Sequence, residues 1–440
     1  MARADPWRVS HAGTSSRPWR VAALAVAGAL AVTALPSPAP AGAARSAPIR
    51  ADFFGTHHSG LALDGTRGWP QAPVGSVRLW DNGVAWSQVE TAPGFFDWAA
   101  TDALVAKARA NGASVLLVLG QTPVFHSTQP TAAGAYGPGA SAMPTKAAWT
   151  AYVRAVAQRN RDVWGNAVSL QVWNEANAAP YWTGTPGQMA QLTAWARAAL
   201  RSAGSSARLV APAMVTRLSS QQSWIDAFYR QKVGGKRVAS YVDAVSFQLY
   251  PDAAGTPEAS MALLARVRKI LARHEVNKPL YNTEVNYGLV GGPKAGAAAA
   301  IISPERQAAY VSRTYLLNAS NRVGRVYWYR WDSRGLVNTM MVQDDDTTLT
   351  AAGQAFAVTR GWILGARAAG CSRARNGTYT CSFVAGKHVR RAVWNPGRTV
   401  TVRAPKRTVA YITLAGSVHP ARRGQRLTVS EAPILFRSSR

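Results

Sequence analysis

Between residues 51 and 363, short apolar runs alternate with longer stretches in which apolar residues recur every three or four positions. The runs are "ADFFGTHH", "GSVRLW", "ASVLLVLG", "VSLQVWNE", "ARLVAP", "VDAVSFQLY", "KPLYNTE" and "RVYWYRW", eight in all. Most are rich in β-branched residues and apolar throughout, the pattern of parallel strands buried on both faces. The stretches between them predict amphipathic helices with marked ends. Asp97 can cap a helix that stops before Gly112, and Thr145 one in which Trp149, Tyr152, Val153 and Val156 share a face. Thr185-Pro186 opens a helix that stops at Gly204, and Ser303-Pro304 opens the one before the last strand. A capping residue followed by proline at the first helical position is a specific start signal.

Eight strand–helix units in about 310 residues predict an α/β fold, a (β/α)8 (TIM) barrel. The alternative, a doubly wound sheet, usually carries a glycine-rich phosphate turn after its first strand. Here that position reads "GTHHSG". The glycine-rich "GLVGGPKAGAAAA" at 288–300 lacks the Lys-Ser/Thr of a phosphate loop and is expected to form a flexible loop over the barrel mouth. From about residue 366 the pattern changes. "YTCSFVAG", "RRAVWN", "RTVTVRAP", "VAYITLAG", "QRLTVS" and "PILFR" alternate between turn residues, which predicts a small all-β sandwich over 366–440. No low-complexity linker precedes it, so it is expected to dock on the barrel (51–363).

The first 43 residues stand apart. Arg3, Arg8, Arg17 and Arg20 precede the apolar "VAALAVAGALAVTAL", and "PSPAPAGA" offers small residues for cleavage near Ala43. This is the pattern of a secretory signal peptide, with an uncleaved anchor as the alternative. The run is short for a membrane span, and no later stretch is long and apolar enough. The expectation is a secreted protein, free or associated with a cell wall, acting as a monomer.

Composition adds a large positive charge. The chain carries +29, and +26 without residues 1–43, which hold four arginines and one aspartate. Such an excess attracts polyanions, although an arginine-rich solvated surface has the same composition. No basic run with interleaved aromatics, no helix-turn-helix signal and no zinc-finger spacing points to nucleic acid. Two cysteines, Cys371 and Cys381, flank "SRARNGTYT". A three-residue loop Arg375-Asn376-Gly377, with glycine in the left-handed position, places Cys371 opposite Cys381. Secretion makes that pair a structural disulfide.

In (β/α)8 barrels the active site forms at the C-terminal ends of the strands. There the sequence places His57 and His58 on strand one, Arg78, Trp80 and Asp81 on strand two, and Gln121 on strand three. Strand four ends in Trp173, Asn174 and Glu175, with Tyr181 and Trp182 just beyond. Strands six, seven and eight bring Gln248 and Tyr250, Asn282 and Glu284, and Trp328 and Trp331. One glutamate at a strand end reads as a salt bridge. Two, each beside an asparagine and among aromatic rings, are what cleavage of a glycosidic bond needs. One protonates the leaving oxygen, and the other attacks the anomeric carbon or activates water. Amides suit sugar hydroxyls, and flat rings suit the apolar faces of pyranoses. The expected partner is a polysaccharide or oligosaccharide, an anionic or wall-associated one if the positive charge serves substrate capture. Asp344, Asp345 and Asp346 lack the alternate ligand spacing of a calcium loop, no histidine pair suggests a metal, and no cofactor is expected.

At these residues a family resemblance enters. "WNEAN" and "LYNTEVNYG" resemble the acid/base and nucleophile motifs of retaining glycoside hydrolases with a (β/α)8 barrel and glutamates after strands four and seven. "VRLWDNGVAWSQVETAPGFFDWAATDALVAKARANG" and "VLLVLGQTPVFHS" resemble the second and third strand regions of family 39 and neighbouring family 5 enzymes. The resemblance implies Glu175 as acid/base, Glu284 as nucleophile, and Asn174 on the sugar 2-hydroxyl. It implies Arg78 beside Glu284, Tyr250 bonded to the nucleophile, and Trp331 on the floor of the site. Relatives usually carry histidine two residues before that tyrosine, where this chain has Gln248, so the sugar contacts differ. A transglycosylase with the same site and a non-catalytic carbohydrate-binding wall protein are the competing readings.

Overall fold

The computed structural model describes residues 46–58, 68–288, 302–332 and 339–438. The expected signal peptide lies outside them, as do residues 289–300 of the glycine-rich stretch. All eight expected strands form: Phe54–Thr56, Ser76–Leu79, Ser114–Val118, Val168–Gln171, Leu209–Val210, Val245–Gln248, Leu280–Val285 and Arg325–Trp328, numbered one to eight. They pair in parallel in the order 6-7-8-1-2-3-4-5. The circle closes between strands five and six, where Ala211 N donates to Ala244 O at 2.9 Å and Asp243 N to Leu209 O at 2.7 Å.

Each helix takes the number of the strand it follows. Helix two is Ala99–Ala110, three Lys146–Asp162, four Pro186–Ser202, five Ser219–Arg230, six Pro257–Arg273, seven Pro304–Ser320 and eight Ala351–Ile363. The start signals act as their chemistry requires. The Thr145 and Ser303 hydroxyls accept from Ala148 N and Arg306 N, and Thr185 closes a capping box with Gln188. Asp97 accepts from Ala99 N at 2.9 Å, but the helix starts one residue later than expected, with Trp98 at the cap position.

The barrel wall is apolar on its outer face, where Val77, Leu79, Leu170, Val245 and Phe247 join one hydrophobic core with the helices. Inside, the expectation of apolar strands fails in part. A small cluster of Leu116, Val210, Ala244, Tyr281 and Tyr327 fills one level. Toward the C-terminal ends, the buried interior residues Arg78, Gln171, Ser246 and Gln248 are polar. They remain buried because they bond to one another across strands, which a single strand's sequence does not reveal.

Strand seven carries the decisive irregularity. Its register against strand six runs Phe247 to Asn282 and then Gln248 to Glu284, skipping Thr283. Strict alternation would turn Glu284 to the same face as Asn282, which bonds outward to Asn318 of helix seven. The extra residue turns Glu284 inward instead, as bulges beside active sites do.

From Arg367 the chain forms eight antiparallel strands. Six make one sheet, in which the last strand, Ile434–Ser438, lies between His388–Trp394 and Thr408–Ile412. Val400–Arg403 and Arg426–Val429 form a separate two-stranded ribbon. The six expected runs are all strands; Arg367–Arg373 and Val418–Pro420 add two. The module docks on helices six to eight. Trp394 Nε1 donates to Glu258 at 3.0 Å, Arg306 pairs with Glu431 at 2.9 Å, and Arg390 donates to Trp362 O at 2.7 Å.

The cysteine hairpin has the expected register. Cys371 faces Cys381, the two are bonded, and Gly377 takes φ +88° in the loop. Cys381 is fully buried. Closing a ten-residue span stabilises the fold by roughly 2–3 kcal/mol in the chain-entropy model. Alkylation of the unreduced native protein is therefore expected to label neither thiol. The double Cys→Ser variant should melt earlier by calorimetry while keeping its activity, because the hairpin lies outside the barrel.

Candidate active site

Arg78 occupies the centre of the barrel mouth and is fully buried. Its Nε donates to Gln171 Oε1 at 2.7 Å, Nη2 to Asn174 Oδ1 at 2.8 Å, and Nη1 to Glu284 Oε1 at 2.5 Å. An arginine only donates, so each amide must turn its oxygen toward it. Gln171 Nε2 then donates to Ser246 Oγ at 2.7 Å, and Gln248 Nε2 gives Asn174 Oδ1 a second bond at 3.1 Å. Both bonds to Asn174 fall on its oxygen, which leaves its Nδ2 as a donor for a ligand.

Glu284 sits at the focus of this network. Tyr250 donates to its second oxygen at 3.1 Å. Burial and the charge of Glu284 hold the Tyr250 hydroxyl well above its ordinary range, so it stays a donor. Burial also moves the Glu284 carboxyl upward, and Arg78 pulls against that shift. With a cation and a hydroxyl on its two oxygens, Glu284 is the carboxyl better fitted to carry charge.

Glu175 is its opposite. It follows strand four in a left-handed conformation, φ +43°, where a residue with a Cβ is strained. Trp173 beside it is buried against Trp149 and Trp182, its Nε1 donating to Tyr181 O at 2.8 Å. Gly120 makes room for that ring, since a Cβ there would stand 2.5 Å from it. The Glu175 carboxyl makes no hydrogen bond among the described residues. Burial first, and then the charge of Glu284, push its pKa well above the ordinary glutamate range. Burial raises both carboxyls, and they differ in their partners: Glu284 is clamped by a cation and a hydroxyl that favour its anion, and Glu175 is unclamped.

Both line one cavity of about 410 Å³, together with Gln248, Tyr250 and four groups the sequence had not singled out as ligands, Tyr181, Arg217, Asn286 and Tyr329. That size suits a small-ligand site. Other expected residues stand behind its wall. His57 is buried, its Nε2 donating to Thr283 O at 3.0 Å, and burial together with Arg78 keeps it neutral. His58 is buried 3.5 Å from Asp332. Trp80 packs on Tyr136, and Trp182 on Trp173. Asn282 bonds Leu249 N and Asn318. Trp331 is fully buried with its edge to Phe356, away from the cavity floor, and Tyr329 lines the wall in its place. Asp345 serves a turn, accepting from Thr347 N and Thr348 N. Tyr181 had a signal in its place beside Glu175, whereas Arg217 and Tyr329 had none.

No protein-family model matches the chain, and no curated protein matches it in sequence. Solved structures match it in fold. A family 39 β-xylosidase from Caulobacter crescentus superposes with a TM-score of 0.62 at 14% identity, over 90% of this chain and 98% of that one. A glucosidase from Croceicoccus marinus gives 0.61 at 17% identity, over 90% and 97%. A family 30 endoxylanase from Clostridium papyrosolvens gives 0.59 at 14%, over 90% and 98%. Identities this low establish the fold alone, and the fold is the one the hydrophobic pattern predicts: a (β/α)8 barrel followed by an all-β module.

Proposed function

We propose that the protein is a secreted, monomeric glycoside hydrolase that cleaves O-glycosidic bonds of a polysaccharide or oligosaccharide with retention of configuration. The observation that carries this reading is the asymmetry of two glutamates on one cavity. Arg78 and Tyr250 bond the two oxygens of Glu284 and favour its anion against the effect of burial, whereas the Glu175 carboxyl has no such partner among the described residues and burial pushes it up to about 8. Glycosidases by name, among them a β-xylosidase, a glucosidase and an endoxylanase, share the fold. Secretion rests on the basic and apolar character of residues 1–43.

In the first step the Glu284 carboxylate attacks the anomeric carbon. The bond to the leaving oxygen breaks, and that oxygen takes the proton of Glu175. The product is a glycosyl ester on Glu284. Glu175, now ionised, takes a proton from water, whose oxygen attacks the same carbon and releases Glu284. Each carboxyl ends as it began. Arg78 suits Glu284 for both halves, because it favours the anion that attacks and the anion that leaves.

Glu284→Ala is expected to abolish turnover of every substrate, since no ester can form. Glu175→Ala should lower turnover of unactivated glycosides by about 10²–10⁴-fold. It should spare the first step for an aryl glycoside with a good leaving group, so that the ester accumulates and mass spectrometry places it on Glu284. An adduct on Glu175, or a product of inverted configuration, would overturn the assignment.

The raised pKa of Glu175 also makes a stability prediction. Above about 4.5, the unfolded side chain is ionised while the folded one still holds its proton, so the unfolded state binds fewer protons and stability falls as pH rises. Glutamine copies the protonated form. Glu175→Gln is therefore expected to raise the melting temperature relative to wild type at about pH 8, and much less at about pH 4, where both folded and unfolded carboxyls are largely protonated. An equal effect at both values would show that no proton is held there.

A further inference from the structure

Assigning Glu175 and Glu284 to the bond that breaks leaves one wall of their cavity without a task. That wall is built by the segment after strand five, with Val215, Arg217 and Gln221, facing Asp252 from the segment after strand six. Among the described residues lining the cavity, Arg217 is the only lysine or arginine. Its guanidinium makes no hydrogen bond among the described residues. Its nearest acid is Asp252 at 3.8 Å, and the two side chains are 46% and 89% exposed. A pair so long and so exposed contributes little free energy. Arg78, by contrast, has its donors committed inside the barrel.

The side of the cavity on which Arg217 stands follows from its neighbours. Asn177, two residues beyond Glu175, exchanges hydrogen bonds with Val215, donating to its oxygen at 2.8 Å and accepting from its nitrogen at 2.9 Å. Its amide also reaches Gln221 O at 3.2 Å. The Arg217 wall is thus tied to the loop that carries the acid. Glu175 feels the charge of Arg78 and, less strongly, that of Arg217, whereas the cation acting on Glu284 is Arg78. The acid stands beside the leaving oxygen, so Arg217 flanks the sugar that leaves.

We infer that Arg217 is an anion receptor on the leaving-group side, and that the substrate is an acidic glycan bearing a carboxylate or sulfate on the sugar beyond the cleaved bond. This rests on the glycosidase reading above. A guanidinium offers two parallel N–H groups that match two oxygens of either group. Beyond the wall the positive charge continues. The groove between helices five and six is lined by Arg230, Arg266, Lys269 and Arg273 around one acid, Asp226, already paired with Arg230 and Arg273. Gln221 borders the cavity and Gln222 the groove, so an acidic polymer leaving past helix five meets a second band of cations. The chain's +29 has the same sign.

The test is calorimetric titration in a Glu175→Gln background, which keeps the site uncharged at that position and slows turnover. The probes are tetramers of glucuronic and galacturonic acid, the same tetramers after carboxyl reduction, and neutral tetramers sulfated at the 6-position. At least one acidic tetramer is expected to bind about ten- to hundredfold tighter than its reduced form. Adding Arg217→Gln should erase that preference, Arg217→Lys should keep part of it, and Asp252→Asn should strengthen it by removing the competing anion. The preference should weaken as ionic strength passes ~0.15 M, where the Debye length is about 8 Å. A stronger response to uronate assigns a carboxylate, and to the 6-sulfate a sulfate ester. Equal binding of acidic and reduced tetramers, or a preference that survives Arg217→Gln, overturns the inference. Turnover of activated aryl glycosides by the wild type tests the hydrolase reading separately. Its failure with acidic binding intact would remove that reading alone.

Discussion

The mouth of this barrel is organised by the need to neutralise one buried cation. Arg78 has no access to water. An arginine in that position is tolerated only with an anion in contact and its other donors satisfied. Glu284 supplies the anion; Gln171 and Asn174 supply the oxygens. Each of these partners is then fixed in turn, Gln171 by Ser246 and Asn174 by Gln248. One guanidinium on strand two therefore sets side-chain orientations on strands four, six and seven. The same contact that makes the arginine tolerable favours the anionic form of the glutamate against burial, so stability and chemistry draw on one interaction.

Two local departures from regular backbone deliver the carboxyls to that centre. The bulge in strand seven turns Glu284 inward, and the left-handed turn after strand four lifts Glu175 to the rim. Neither is favourable in isolation, and each is held by what surrounds it. Thr283, the skipped residue, accepts from His57 through its backbone oxygen, and Ala176 and Ala213 lock the strand-four turn through backbone bonds. His57 thus contributes from behind the wall, as a neutral donor that pins the bulge.

The C-terminal module braces the same region from outside. Trp394 and Arg313 both bond Glu258 at the start of helix six. A few residues away, the Tyr287 hydroxyl at the exit of strand seven reaches Ser260 of helix six and Thr314 of helix seven. The chain's entry to the barrel is tied to the module as well, where Ile49 exchanges bonds with Gly365 and Ala366. Barrel and module share one hydrophobic core, so strand seven is supported on its outer side by helices that the module covers.

The sequence by itself determined the architecture and the identity of the two candidate carboxyls. Hydrophobic period, helix caps and turn residues are local, and each of the eight strands was legible from its own run of residues. Glu175 and Glu284 stood out because an acid at the end of an apolar strand is costly unless it has a partner. The cysteine register was legible too, since a loop of three residues fixes which positions face each other. What only the tertiary structure decided is which side chains reach the cavity. Trp331, Asn282 and the two histidines occupy strand-end positions that look equivalent to that of Tyr250, and Trp182 follows close behind Glu175, yet they pack behind the wall. Gln171 and Ser246 read as ordinary strand residues until Gln171 is seen bridging Arg78 to Ser246. Arg217 lies on a segment with no pattern of its own, and bonds tying that segment to Asn177 and Gln248 bring it beside Glu175. The physical reason is common to all of these: secondary structure is set by neighbours in the chain, whereas the direction of a side chain at a strand end depends on bulges, turns and partners contributed by other strands.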